Sequence, residues 1–178
     1  MGITMKKLKH KFITLFFALF TLTPFFLLFA DDNSCDDVYK KNKYKTNETY
    51  INECSSCHFA YQAFLLPSNS WKKVILNLSS HFDVEVILDQ ETENIIREYL
   101  ISNSAEHSSS KVAIKILKSL AGDSPLRITE TPYFKEEHHE INSNVFNRSS
   151  IGSKSNCIAC HTTAKQGNYD DDFINIQE

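Results

Sequence analysis

The sequence predicts a mainly α-helical protein organised as two small helical domains. Three observations carry this expectation. Glycine is scarce, at 4 of 178 residues, which leaves little for a turn-dense β fold. Long stretches rich in Leu, Ile, Lys and Glu place their apolar residues at helical spacing. A polar, serine-rich stretch from Asn103 to Ser110 interrupts them and marks a candidate boundary. The expected order is a leader over 1–30, a polar tether over 31–50, and domains over 51–106 and 107–178, a division that suits this length.

The leader has the layout of a secretory signal. Lys6, Lys7, Lys9 and Lys11 form a positive start, and an uncharged run dominated by Phe and Leu extends from Ile13 to Ala30. Asp31 and Asp32 end it, which puts cleavage after Ala30. Leu28 is larger than the residue preferred two positions before a cleavage site, and the 18-residue run reaches the lower edge of a bilayer span. An uncleaved anchor is therefore the alternative. Either way the folded part faces outward from the cytoplasmic membrane, in the periplasm, and touches the membrane only if the leader stays attached. The leader holds four of the 19 basic residues and none of the 22 acidic ones, leaving 15 against 22, a net charge of −7. That balance argues against nucleic acid and suits either simple solubility or a partner with a basic face.

Beyond the tether, with Lys40, Lys41, Lys43 and Lys45 close together, Ser70 is the expected cap of a helix starting at Trp71. Trp71, Val74, Ile75 and Leu78 form its apolar face, which His81 continues. Asp89 caps a second helix burying Ile95, Ile96, Tyr99 and Leu100. A third spans Lys111 to Leu120 and stops at Gly122, with Pro125 beyond. Thr131-Pro132 reads as a cap followed by proline in the first helical position, and Phe134, His138 and Ile141 share a face of that helix.

The chemistry lies in two motifs, Cys54-Ser55-Ser56-Cys57-His58 and Cys157-Ile158-Ala159-Cys160-His161. C-x-x-C-H is the attachment signature of c-type haem. Two thiols reach the two vinyl groups of one porphyrin from a single turn of chain, and the next histidine rises to the iron. Cys54 and Cys57 would hold one haem with His58 as proximal ligand; Cys157 and Cys160 would hold a second with His161. A thioredoxin-like pair would sit in a βαβ pattern, which is missing. A zinc ribbon spaces its two C-x-x-C units by about 15–20 residues; here they are about 100 apart.

Methionine and histidine are the common residues for the far side of the iron. The two methionines, Met1 and Met5, both fall in the leader, so methionine is excluded. Beyond the leader stand His58, His81, His107, His138, His139 and His161. His81 and His138 lie on apolar faces and are assigned as distal ligands of the first and second haem. His139, turned about 100° from His138 on a helix, is the rival, and His107 lies in the polar boundary. His81 follows His58 by 23 positions and His138 precedes His161 by 23, which suggests one distal ligand per haem domain. Two histidines per iron leave no open site and give low potentials, the properties of an electron carrier with no small-molecule substrate. The alternative is a haem enzyme, peroxidase-like or a nitrogen-oxide reductase, with one labile distal ligand.

These residues resemble the small dihaem cytochromes c over about Asn52 to Ile174. The carrying segments are Glu53 to Tyr61, Leu66-Pro67, Ser70-Trp71, His81-Phe82, Arg127 to Phe134, Glu137-His138 and Ser149 to His161. The resemblance implies a first domain similar to class I cytochrome c and a separate C-terminal haem domain. It also implies electron donation to a small oxygen-binding monohaem cytochrome, or exchange with membrane b-type cytochromes. Its positions match His81 and His138 as distal ligands. Tyr61, three residues past His58, is a candidate for coupling the two haems, with ordinary packing as the other reading. The extra Cys35 and the long tether depart from the pattern; Cys35 reads as an incidental thiol able to form an intermolecular disulfide.

Overall fold

A computed structural model describes residues 46–177. The leader, most of the tether and Cys35 lie outside the described residues. All of the described residues belong to one compact unit. The protein is mainly helical, with six α-helices and several 3₁₀ turns among the described residues.

Helix α1 (Glu48–Cys54) begins inside the stretch expected to be tether. Asn47 caps it by accepting from the Tyr50 N–H at 2.9 Å. Tyr50 is buried, and its hydroxyl donates to the Tyr61 carbonyl at 2.8 Å. The first motif therefore leaves the end of a helix already anchored to the core.

Helix α2 (Ser68–Leu76) starts earlier than the serine cap predicts. Ser70 is buried within its first turn, not at its cap. The Glu106 carboxylate supplies the missing cap, accepting from the Ser68 N–H at 2.9 and 3.0 Å. Trp71, Val74 and Ile75 are buried as the spacing predicts, and the Trp71 indole donates to the Ala63 carbonyl at 2.6 Å. The helix ends at Leu76, before Leu78. Asn77 turns its amide back onto the Lys73 carbonyl at 2.7 Å, and a 3₁₀ turn (Leu78–Ser80) follows. Such local side-chain bonding from Asn and Ser competes with helix continuation.

Helix α3 (Gln90–Ser102) is capped by Asp89, whose carboxylate accepts from Glu91 and Thr92. Ile96 and Leu100 are fully buried, whereas Ile95 is 37% exposed. Helices α1 and α2 both pack on α3. Their shared core joins Tyr50, Leu66, Trp71, Val74, Ile75, Ile96 and Leu100. Each fully buried Leu or Ile contributes roughly 1.5–3 kcal/mol of transfer free energy.

The serine-rich stretch after α3 is knitted into the structure. Ala105 is buried, and its N–H donates to the Leu66 carbonyl at 3.0 Å. Helix α4 (Lys111–Leu120) has the bounds its pattern predicts and buries Ala113, Ile116 and Leu120. It closes through left-handed Ala121 (φ 47°) and Gly122 (φ 97°), the second of which suits glycine without strain. A second core gathers Phe64 and Leu65 with Ala105, Ala113, Ile116 and Leu120. Tyr61 and Ile128 pack against both cores.

Helix α5 (Pro132–Glu137) has Thr131 as its cap and proline at its start. It stops at Glu137, so Ile141 lies in the turn beyond and off the face it was expected to share. Helix α6 (Ser143–Phe146) follows, and the second motif forms a 3₁₀ turn (Cys157–Ala159). No described helix is long and apolar enough to cross a membrane.

Candidate functional site

The first site begins at the end of α1, which delivers Cys54 and leads into Cys57 and His58. Nδ1 of His58 lies 2.8 Å from the Phe59 carbonyl. That bond occupies one ring nitrogen and leaves the other for a metal, the arrangement usual for metal-bound histidine. His81 does not continue the α2 face. It stands at the base of a two-residue turn closed by reciprocal backbone bonds with Val84, at 2.8 and 3.1 Å. Phe82 (φ 51°) and Asp83 (φ 73°) are both left-handed, as the tight hairpin turn requires. Non-glycine residues there cost about 1 kcal/mol or more each.

The turn brings His81 opposite His58, with ring centroids 6.3 Å apart and planes 23° from parallel. The second pair, His138 and His161, has centroids 6.0 Å apart and planes at 62°. With a metal–imidazole bond of about 2 Å and the ring centre roughly 1 Å behind the ligating nitrogen, two imidazoles across one iron have centroids about 6 Å apart. Each pair is spaced so that its two histidines would hold a single metal ion.

His138 caps the end of α5, stacked on Phe134 at 4.0 Å, with Nδ1 lying 2.8 Å from the Phe134 carbonyl. His139, the rival, is exposed; its Nδ1 meets the Glu136 carbonyl and its Nε2 faces Glu140. His107 ends a separate 3₁₀ turn (Ala105–His107). His161 is strapped by the chain's end: Thr162 N–H donates to the Phe173 carbonyl at 3.0 Å and Asn175 N–H to the Cys160 carbonyl at 2.8 Å. Its Nδ1 is buried and has no hydrogen-bond partner, so the protein alone leaves this ring unsatisfied.

Burial disfavours charge on two of the facing rings, His81 and His161. Burial, then His58 and Arg127, lowers the His81 pKa. Burial and His138 lower that of His161, against an opposing pull from Asp171. Neutral imidazole is the metal-binding form. Burial pushes the Cys54 and Cys157 thiols up to about 11, with Glu53 adding to the first. Thiols so poised lack the lowered pKa of a reactive redox cysteine.

His58 and His81 line a cleft of about 370 Å³, whose walls include Leu66, Trp71, Ile75, Leu78 and Ile96. Cys157 of the second motif reaches the same cleft. The link between the motifs is Tyr61. Its ring stacks on His58 at 4.9 Å, and its hydroxyl donates to the Ser155 carbonyl at 2.8 Å. Gln62 adds a second tie, donating to the Ala164 carbonyl at 2.8 Å and accepting from the Tyr169 hydroxyl. Tyr169 also lies 5.5 Å from the His161 ring. Nothing local in the sequence marks Gln62 or Tyr169, because each acts through a partner about a hundred residues away.

The chain matches the family described as dihaem cytochrome c over residues 50–169. No curated protein matches it. Among solved structures it is similar to a diheme cytochrome c from Rhodobacter sphaeroides, at 38% identity and TM-score 0.61, covering 70% of this chain and 98% of that one. It is also similar to a diheme cytochrome type c from Shewanella baltica OS155, at 34% identity and TM-score 0.60, covering 73% of this chain and 92% of that one.

Proposed function

Because the chain belongs to the dihaem cytochrome c family, we propose that it holds one covalent haem at each C-x-x-C-H motif and works as a low-potential electron shuttle in the periplasm. Cys54 and Cys57 attach the first haem, with His58 and His81 as its two iron ligands. Cys157 and Cys160 attach the second, with His161 and His138. The observation that carries this reading is the facing of the histidines in two pairs, 6.3 and 6.0 Å apart.

Bound haem supplies a one-electron iron couple; the protein supplies ligands, orientation and charge. With His58 and His81 on one iron and His161 and His138 on the other, no site would remain for oxygen or peroxide. No methionine follows Met5, so methionine's stabilisation of the ferrous state is withheld, which keeps the potential low. Tyr61, stacked on His58 and bonded beside the second motif, shortens the path between the two centres. The acidic charge beyond the leader suits a partner with a basic docking face, such as a small monohaem cytochrome or a membrane b-type cytochrome.

An optical and EPR spectrum of the exported holoprotein, with haem counted per chain, tests this. Two haems, both low-spin in the oxidised state, are expected. A predominantly high-spin spectrum, or carbon monoxide binding to the reduced protein, favours a haem enzyme with a labile distal ligand.

A further inference from the structure

The cleft of the first histidine pair is apolar along most of its wall, and among the described residues lining it Arg127 is the one arginine or lysine. Building on the dihaem reading, we propose that Arg127 sets the reduction potential of the haem between His58 and His81, holding it above the value the two imidazoles alone would give.

Two contacts fix the charge in place. The guanidinium carbon lies 3.9 Å from the centre of the Phe82 ring, a close cation–π stack. Phe82 follows His81 directly, and the two rings are 4.8 Å apart. On the other side, Nε of Arg127 lies 3.7 Å from the Glu130 carboxylate. The planar guanidinium suits this double engagement, which the point charge of lysine would meet less well. The Phe82 stack also gives a reason for a phenylalanine at φ 51°, where glycine or asparagine is favoured: the strained turn is clamped from outside by Arg127.

The sign of the effect follows from charge. The ferric centre carries one more positive charge than the ferrous one, so a nearby cation disfavours oxidation and raises the potential. If the guanidinium pairs with a haem carboxylate, it cancels a negative charge that would favour the ferric state, and the sign is the same. The Arg127 side chain is 44% exposed, so solvent and salt screen part of this interaction, and the effect is largest at low ionic strength. Glu53 is the only Asp or Glu among the described residues lining the cleft, and Glu130 draws on Arg127 from outside it.

The test is a reductive titration of the holoprotein at low ionic strength, resolving both haem steps. In Arg127→Gln one step should fall and the other stay in place. Arg127→Lys should retain most of the wild-type value. Glu130→Gln should move the same step upward, because it frees Arg127 from its counter-charge. Added salt should shrink these shifts. Opposite signs at Arg127 and Glu130 are beyond a merely structural role. If Arg127→Gln fails to mature with both haems, Arg127→Leu takes its place, with the same fall expected in one step. Unmoved steps, equal movement of both, or the same sign in both variants would overturn the proposal. A wild-type protein lacking two low-spin haems would instead sink the dihaem reading, and haem counts on the same samples separate the two failures.

Discussion

The Tyr61 hydroxyl donates to the Ser155 carbonyl at 2.8 Å, tying a residue just past the first motif to one just before the second. Burial, with Cys157 nearby, holds the phenol pKa up at about 12, so it remains a neutral donor throughout the physiological range. Tyr61→Phe removes the donor and leaves the ring on His58. The expected cost is about 1 kcal/mol of stability, read by denaturant unfolding. If the phenol contributes to coupling, inter-haem electron transfer also slows; undiminished transfer in this variant leaves the hydroxyl with a structural role only. Tyr61→Leu asks the same of the ring.

The three histidines 81, 138 and 139 should separate cleanly. His81→Ala and His138→Ala should each remove one low-spin signal from the EPR spectrum and leave the other. His139→Ala should leave both, since that ring is exposed and engaged with Glu136 and Glu140. Loss of a low-spin signal in His139→Ala would reverse the assignment.

The single tryptophan is a stability determinant. Trp71→Phe preserves an apolar ring but removes the stronger of two donors to the Ala63 carbonyl, the indole at 2.6 Å, and leaves the Leu66 N–H at 3.4 Å. Loss of that hydrogen bond costs about 1 kcal/mol. Since the chain has one Trp, the variant loses intrinsic indole fluorescence, and far-ultraviolet circular dichroism is the appropriate readout.

Stability should also depend on pH through Glu106. Burial alone would raise its pKa, but hydrogen bonds from its own backbone, Ser68 and Ser104 outweigh that and lower it from the usual 4.5. A depressed carboxylate stabilises the fold fully above its unfolded pKa, and that contribution is lost as pH falls through the folded value. Glu106→Gln should lower the unfolding midpoint at neutral pH and flatten its decline below about pH 4.5. An identical acid slope in both proteins would remove Glu106 from the account.

Much of this architecture is legible in adjacent residues. Lys111–Leu120 carries its own period and stop signal, and Asp89 and Thr131 cap the helices they precede. These features depend on neighbours within a turn or two. The same is true of Phe134 and His138, one helical turn apart, whose rings stack at 4.0 Å. The path to His81 was less legible. Helical period carried that residue onto the α2 face, but Asn77 and the serines beyond it end the helix, and the turn that follows uses Phe82 and Asp83 in place of the usual glycine or asparagine. A left-handed Phe82 becomes intelligible only with Arg127 stacked upon it.

By itself, then, the sequence determined the helical class, the two C-x-x-C-H motifs and the confinement of methionine to positions 1 and 5, because each depends on residue identity and short-range spacing. The tertiary structure decided which histidines face one another, that Tyr61 and Gln62 bind the surroundings of the second motif, and that one arginine lines the first cleft. Those relationships join side chains distant in sequence, and only the packing of the helices around the two shared cores brings them within bonding distance.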